Sequence, residues 1–464
     1  MTQELHEECG VFGVWGDEQA AMKSYWGIFS LQHRGQESAG IAVLHEGQIA
    51  VDKGMGLVAK VLSPEEQARR RGKAAIGHVR YSTTGESSDY NAQPLLMRTR
   101  FGPLALGHNG NLVNADDLRE ELAKKGAIFQ GTSDSELLAH LIAQSDSETM
   151  EDALLNALPR LEGGFAFVIL TPEAIYGVRD PHGIRPLVFG RNDSGALFLA
   201  SETCAFDTIR AEWNRDVDAG ELVRIDDSGV TRRRYGSEIP QRALCAFEVV
   251  YFARPDSRID GQSTHLGRRR LGQILAEEAP ASADVVVGVP DSSLPAAMGY
   301  ADVSGIPFDF GLVKNRYIAR TFIAPNPAER QSSVQLKLSA VREVVAGKSI
   351  VLVDDSLVRG TTSRHIVQLL RQAGAKEVHM RIASPPYTDP CHYGIDTSRA
   401  GELAARNMTQ EQLRERVGAD SLGYLSVEGL SRALGPGGWC QACFGAGYPV
   451  PLRIKDTAEG GVIY

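Results

Sequence analysis

The sequence predicts two successive units of different architecture: a sheet-rich α+β half, then an α/β half built on a parallel sheet. Three observations carry that expectation. Up to about Arg234 the apolar residues come in short alternating or continuous runs. From about residue 284 onward, apolar runs are each followed by a helical stretch, the order of a parallel sheet with crossover helices. The two patterns meet near residue 240, and 464 residues leave room for two to four domains of about 150 residues each.

In the first half, Gly10 to Trp15, Gly40 to Leu44, Ala75 to Val79, Phe165 to Leu170 and Ala196 to Ala200 read as strands, with helices near 115 to 124 and 134 to 144. Gly163-Gly164 is expected to punctuate them as a turn. Asn109-Gly110, taken alone, is a strong hairpin-turn signal. Ser133 and Glu136 have capping-box spacing before Leu137 to Ile142, which by itself would make Asp134 a favourable charge at a helix N-terminus. In the second half, strand Asp284 to Val289 precedes helix Leu294 to Tyr300, and strand Ser349 to Val353 precedes helix Ser363 to Gly374. Thr321 to Gln335 is polar, holds two prolines and has no period, as a lid or a surface insertion would.

Composition narrows the function. Asp plus Glu outnumber Lys plus Arg by 58 to 49, a net charge of -9, which argues against general nucleic-acid or anionic-membrane binding but leaves room for a local phosphate site. The longest apolar run, Phe165 to Leu170, is far below the ~20 residues that cross a bilayer. The acidic start, without a basic or apolar stretch, is no secretory signal, so a cytoplasmic protein is expected. In that reducing compartment its six cysteines read as thiols, metal ligands or nucleophiles.

Cys9 opens the first apolar run directly after an acidic octapeptide. Cleavage of the Glu8–Cys9 bond would give it a free α-amine able to act as base for its own thiol. After it come Leu31-Gln32-His33-Arg34-Gly35-Gln36, Gly77-His78-Val79-Arg80-Tyr81, Gly107-His108-Asn109-Gly110-Asn111 and Ser133-Asp134-Ser135-Glu136. Over residues 9 to 230 this order closely resembles the class II glutamine amidotransferase domain. The resemblance implies an Ntn-hydrolase four-layer sandwich over residues 9–235, with residues 1–8 as a propeptide. It makes Cys9 the nucleophile, and Asn109 with the Gly110 amide the oxyanion donors. Arg80 and Asp134 are implied to hold the carboxylate and ammonium of glutamine, and Arg34 is implied at the same glutamine site in a supporting role near the nucleophile.

The sharpest motif of the second half is Lys348 to Ser363: an apolar strand ending in Asp354-Asp355, then a loop of Ser356, Arg359, Gly360, Thr361 and Thr362 running into a helix. Amides and hydroxyls at such a helix start cradle phosphate, and the carboxylates suit ribose hydroxyls and a magnesium ion. It closely resembles the signature of type I phosphoribosyltransferases. The resemblance implies that these residues bind phosphoribosyl pyrophosphate (PRPP) together with Asp291 and Ser293, and that Ser292, Asp354 and Asp355 bear on Mg2+. Lys314 to Phe322 and Lys337 to Arg342 are similar to the lid region of the amidophosphoribosyltransferase family. Lys314, Arg320 and Lys337 then fall at lid or nucleotide positions, and Gln335 stands where that family usually has arginine.

Cys440-Gln441-Ala442-Cys443 is a CxxC whose spacing alone suits zinc, an iron-sulfur cluster or redox chemistry. With Cys245 and Cys391 it resembles the four-cysteine set of the iron-sulfur, propeptide-bearing subgroup, which implies one 4Fe-4S cluster in a phosphoribosyltransferase domain spanning 236–464. Cys204 is left as a buried thiol. The family implies an enzyme that converts glutamine and PRPP to phosphoribosylamine, with ammonia passed between sites. It also implies feedback by purine nucleotides, a homotetramer, and no nucleic-acid or membrane partner. Two rivals share parts of the pattern: a glutaminase serving a sugar-isomerase domain, and a non-enzymatic PRPP sensor. The first gives no reason for Asp354-Asp355, the second none for Cys9, Arg80 and Asp134.

Overall fold

The first half stacks two antiparallel sheets between layers of helix. In this computed structural model residues 9–81, 88–236, 240–315, 338–397 and 400–452 are described. The octapeptide, the 321–335 segment with Gln335, and Arg320 and Lys337 lie outside the described residues.

The strands of the first half are β1 (Gly10–Trp15), β2 (Ser38–His45), β3 (Gln48–Met55), β4 (Ala74–Arg80), β5 (Leu95–Thr99), β6 (Gly102–Leu112) and β7 (Gly163–Leu170). They continue with β8 (Ile175–Arg179), β9 (Val188–Arg191), β10 (Leu197–Ala200), β11 (Glu212–Asp216), β12 (Glu221–Asp226) and β13 (Gly229–Arg234). One sheet has the order β11-β9-β10-β1-β4-β2-β3, the other β13-β12-β8-β7-β6-β5. The two-residue period of a strand explains the layering. On β7, Phe165, Phe167 and Ile169 meet Leu137, Leu138 and Leu154 of the covering helices. Its Ala166, Val168 and Leu170 meet Val11, Trp15 and Ile76 of the opposite sheet. Phe12 and Val14 of β1 turn the other way, under helix Ala20–Ser30. Both faces of the central strands of each sheet are therefore apolar, which is why β7 reads as a continuous run. Truncating a core ring such as Phe167 to Ala would cost about 3–5 kcal/mol.

Three local expectations give way to this packing. Asn109-Gly110 makes no turn: both lie inside β6, opposite Ala166 and Phe165 of β7. Gly110 has φ +134, and a Cβ there would collide with the Gly164 carbonyl, so glycine is required by the closeness of the strands. Gly163-Gly164 likewise opens β7 rather than turning the chain. Ser133 and Glu136 form no capping box, because helix Glu136–Ala143 has Ser135 at its N-cap and no side-chain cap. The Glu136 carboxylate instead accepts from the amides of Gln130 and Gly131 at 2.9 and 3.0 Å, leaving Asp134 to another task.

In the second half, Val285–Gly288, Ser349–Asp354, Glu377–Ile382 and Ser421–Tyr424 pair in parallel in that order. Val351 and Val353 face helices Thr264–Glu278 and Leu294–Ser304. Ile350 and Leu352 face helix Thr361–Gln372. This is the crossover architecture the strand–helix alternation predicts. Charged contacts join the halves: Arg179 pairs with Asp260 at 2.8 Å, and Arg34 with Glu248 at 2.6 Å. Among the described residues no helix is long and apolar enough to cross a membrane.

Candidate functional site

Cys9 immediately precedes β1, and the β1–β4 register sets Gly10 against Val79, so Cys9 lands beside Arg80 at the end of β4. Its thiol is buried and donates to the Tyr81 carbonyl at 3.6 Å. Burial pushes the thiol up to about 11; the Arg80 charge and the Tyr81 hydrogen bond oppose this, while Asp134 and Glu37 add to it. As an internal residue Cys9 is therefore a protonated, weak nucleophile at neutral pH.

Asn109 is fully buried, and neither atom of its side-chain amide has a hydrogen-bond partner among the described residues. Leaving a buried donor unmade costs about 1–3 kcal/mol, so such an amide marks a place where a ligand atom belongs. Two residues on, the Leu112 amide donates to Asp134 Oδ2 at 2.9 Å, and His108 Nδ1 stands 3.5 Å from Oδ1. Burial would raise the Asp134 carboxyl, but His108, the Leu112 amide and Arg80 together hold it below its ordinary value. Asp134 is thus an ionised group close enough to Cys9 and Arg80 for their charges to act on one another, and its chemistry suits an α-ammonium. Gln93 steadies the wall, accepting from the His108 amide at 2.8 Å and donating to Ser135 Oγ at 3.1 Å.

Arg34 is buried behind the nucleophile. Its Nε donates to the Cys9 carbonyl at 3.2 Å, Nη1 meets Glu202 at 2.5 Å, and Nη2 reaches Glu248 of the second half at 2.6 Å. Burial opposes the Arg34 charge, yet the two carboxylates raise its pKa beyond its ordinary value. Arg185 continues the line, standing 3.5 Å from Glu248 and donating from Nε to the Tyr393 carbonyl at 2.8 Å. Glu202, Glu248, Arg185, His108 and Asn111 are absent from the sequence-based assignment. His108 and Asn111 flank the Asn109-Gly110 motif and could have been suspected. Nothing in sequence distinguishes Glu248 from a surface glutamate.

The second cluster sits at the carboxyl end of the parallel strands. Asp354 and Asp355 end the strand Ser349–Asp354 and are both buried. Ser292 Oγ donates to Asp355 at 2.5 Å, Ser356 Oγ to the same carboxylate at 2.8 Å, and Ser293 Oγ to Asp354 at 3.2 Å. Burial raises both carboxyls, and the charge of Asp355 adds to the shift of Asp354. Lys314 pairs with Asp291 at 3.0 Å, and Arg359 with Glu402 at 2.7 Å. Gly360, at φ +75, caps the helix that begins with Thr361 and Thr362, so this helix start opens beside the paired acids. A pair of oxygen-donor carboxylates raised by burial fits a hard divalent cation, and magnesium typically takes one or two protein carboxylates plus phosphate oxygens.

Cys245, Cys391, Cys440 and Cys443 line one cavity, together with Ile184, Arg185, Tyr393, Ile395, Ala442 and Tyr448. Strand Leu244–Cys245 pairs with Trp439–Cys440, which sets Cys245 directly against Cys440. The Tyr393 amide donates to Cys391 Sγ at 3.4 Å. Burial pushes the Cys440 thiol up to about 12, and Cys391 adds to the rise. All four are free thiols, so the cavity suits a group that supplies positive charge and takes thiolate ligands. Cys204 lies buried elsewhere, its Sγ 3.7 Å from Glu202.

A thiol under the charges of an arginine and a carboxylate, joined in one chain to an acid-tipped strand and a glycine-capped helix start, points to a two-site transferase: an amidotransferase coupled to a phosphoribosyl transferase. Two family models agree, one described as a glutamine amidotransferase domain over residues 78–208 and one as a phosphoribosyl transferase domain over residues 261–383. The amidophosphoribosyltransferase of Bacillus subtilis strain 168 is 50% identical over 98% of this chain and 96% of its own length. That of Synechococcus elongatus is 49% identical over 97% and 93%. A solved Bacillus subtilis glutamine PRPP amidotransferase, complexed with ADP and GMP, superposes with a TM-score of 0.91 at 49% identity over 98% of this chain and 99% of that one. The chain belongs to the amidophosphoribosyltransferase family.

Proposed function

We propose that this enzyme makes 5-phosphoribosylamine from PRPP and glutamine, the first committed step of purine synthesis, with Cys9 and Asp354-Asp355 at the centres of its two sites. Removal of residues 1–8 would free the Cys9 α-amine, whose ordinary pKa near 8 makes it a base next to a thiol that burial holds protonated. Arg80 and Asp134 clamp the carboxylate and ammonium of glutamine. The Cys9 sulfur adds to the side-chain amide carbon, and the Asn109 amide with the Gly110 N–H stabilises the oxyanion. As that intermediate collapses, the leaving nitrogen takes back the proton that the α-amine removed from the thiol, so the C–N bond breaks to neutral ammonia and a thioester; water then hydrolyses the thioester to glutamate and the free thiol.

Ammonia reaches C1 of PRPP and displaces pyrophosphate. Ser356, Arg359, Gly360, Thr361 and Thr362 hold the 5-phosphate end, while Asp291, Ser292 and Ser293 lie toward the pyrophosphate. Asp354, Asp355 and Ser292 would hold a magnesium ion, which when bound would supply positive charge to the leaving group. Arg34, touching both the Cys9 carbonyl and Glu248 of the second half, supports a shared wall through which ammonia passes without exchanging with water. The four cysteines would hold a 4Fe-4S cluster that cross-links the second half and takes no part in transfer. Lys314, with Arg320 and Lys337, would contact substrate phosphates or a feedback purine nucleotide.

The observation that supports this reading is the buried, unpaired Asn109 amide on the strand whose Leu112 amide binds Asp134, the carboxylate that together with Arg80 acts on the Cys9 thiol. Its test is Cys9→Ala assayed with each nitrogen source. Glutamine-dependent synthesis should vanish while ammonia-dependent synthesis from PRPP and magnesium persists; loss of neither, or of both in a folded protein, overturns it. The amino-terminal mass and a brown visible absorption of the purified protein test the propeptide and the cluster separately.

A further inference from the structure

We infer that the segment Cys391–Gly394 is a positioning element of the oxyanion strand, tying Gly110 and Asn111 to the cysteine-lined cavity of the other half. The inference rests on the reading that Asn109 and Gly110 bind the oxyanion. Asn111 follows those two residues on β6, and its Nδ2 donates to the His392 carbonyl at 2.9 Å. A Cβ on Gly394, where φ is +124, would stand 3.2 Å from Gly110 Cα and 3.0 Å from Arg185 Nη2. A Cβ on Gly164, which faces Asn111 across the β6–β7 ladder, would stand 3.0 Å from Tyr393 Cβ. The segment therefore lies directly on the ladder at Gly110, backbone against backbone.

A second route joins the same segment to the nucleophile. Arg185 donates from Nε and Nη2 to the Tyr393 carbonyl and stands beside Glu248. Glu248 receives Arg34, and Arg34 holds the Cys9 carbonyl. The nucleophile and the oxyanion donors are thus both referenced to one stretch of chain, which begins at Cys391. Gly110 has no side chain by which its own half could brace it, so its amide points where β7 and Gly394 put it. Misplacing a catalytic group by about 1 Å can cost on the order of 10²-fold in rate, which makes such bracing worth having.

The test compares Asn111→Ala and Gly394→Ala with Asn109→Ala in the full-length enzyme. Asn111→Ala should lower glutamine-dependent kcat by about 10-fold, with the KM for glutamine shifted by less than about twofold, since the ground-state clamp at Arg80 and Asp134 is untouched. Ammonia-dependent synthesis and the rate of Cys9 alkylation by iodoacetamide, read by peptide mass, should stay at the wild-type level. Gly394→Ala should do the same more severely; if it does not fold, Asn111→Ala decides alone. Wild-type glutamine kcat in Asn111→Ala overturns the inference, as does an equal fall in the ammonia-dependent rate. Should Asn109→Ala also keep full glutamine turnover, the oxyanion reading itself fails; if Asn109→Ala is crippled and Asn111→Ala is not, only the present inference falls.

Discussion

Asn109 sits mid-strand with both amide atoms unpaired among the described residues, whereas Asp354 and Asp355, at the tip of a parallel strand, spend their oxygens on Ser292, Ser293 and Ser356. The difference follows from where each pocket is built. A sheet enclosed between layers can hold a polar atom away from all partners, because the packing of Phe165, Phe167 and their neighbours meets the cost. Loops at a strand end cannot, so their hydroxyls satisfy Asp354 and Asp355, and the Lys314 ammonium pairs with the neighbouring Asp291. The Asn109 amide is held without a partner among the described residues; the acids at the strand tip are satisfied by their own neighbours.

The largest expected effect breaks the enclosure of the first pocket. Arg34→Met removes the cation shared by the buried Glu202 and Glu248, leaving Glu202 to His33 and Glu248 to Arg185, so urea unfolding should show a loss of about 3–5 kcal/mol. A loss under about 1 kcal/mol would mean that the halves do not depend on this pair. Next comes the unpaired amide itself. Asn109→Ala should reduce glutamine-dependent kcat by about 10²- to 10³-fold. It should leave ammonia-dependent synthesis intact and stability no lower than the native protein, since no hydrogen bond is lost. Clear destabilisation would show that the amide is paired after all.

A third effect concerns the far side of the junction, where Asp216 accepts the Asp260 amide at 2.8 Å. Burial and the Asp260 charge raise the Asp216 carboxyl to about 6, against about 3.9 in an unfolded chain. The folded state thus favours the protonated form: that contribution is complete below about pH 4 and is lost as pH rises through 6. Asp216→Asn, which keeps an acceptor oxygen, should therefore gain on the native protein between pH 4 and 6 by about 1–3 kcal/mol and hold that lead above pH 7. A difference that ignores pH would remove the assignment. The smallest effect probes self-pairing in the second cluster. Lys314–Asp291 is a solvent-accessible pair, so Lys314→Ala should change stability by less than about 1 kcal/mol while raising the KM for PRPP with either nitrogen source. An unchanged KM would detach Lys314 from that site.

The strands Gly10–Trp15 and Ser349–Asp354 and the helix Ala115–Lys124 were legible because each carries its own period and boundary residues. Local grammar misled where the third dimension outweighed it. Asn109-Gly110 has the chemistry of a tight turn, yet β7 lies close enough to demand glycine in an extended ladder. Ser133 and Glu136 have capping spacing, yet the amides of Gln130 and Gly131 claim the glutamate first.

By itself the sequence determined the two-unit order, the apolar faces of the sheets and the residue types gathered in each motif, since hydrophobic period and loop chemistry are local properties of a chain. Only the tertiary structure decided that Arg34 and Arg185 meet at Glu248, that Asn109 is left unpaired, and that Gly394 lies against Gly110. Those facts join residues up to 284 positions apart in the numbering, and a charge or a glycine carries no mark in sequence of the neighbour that packing will give it.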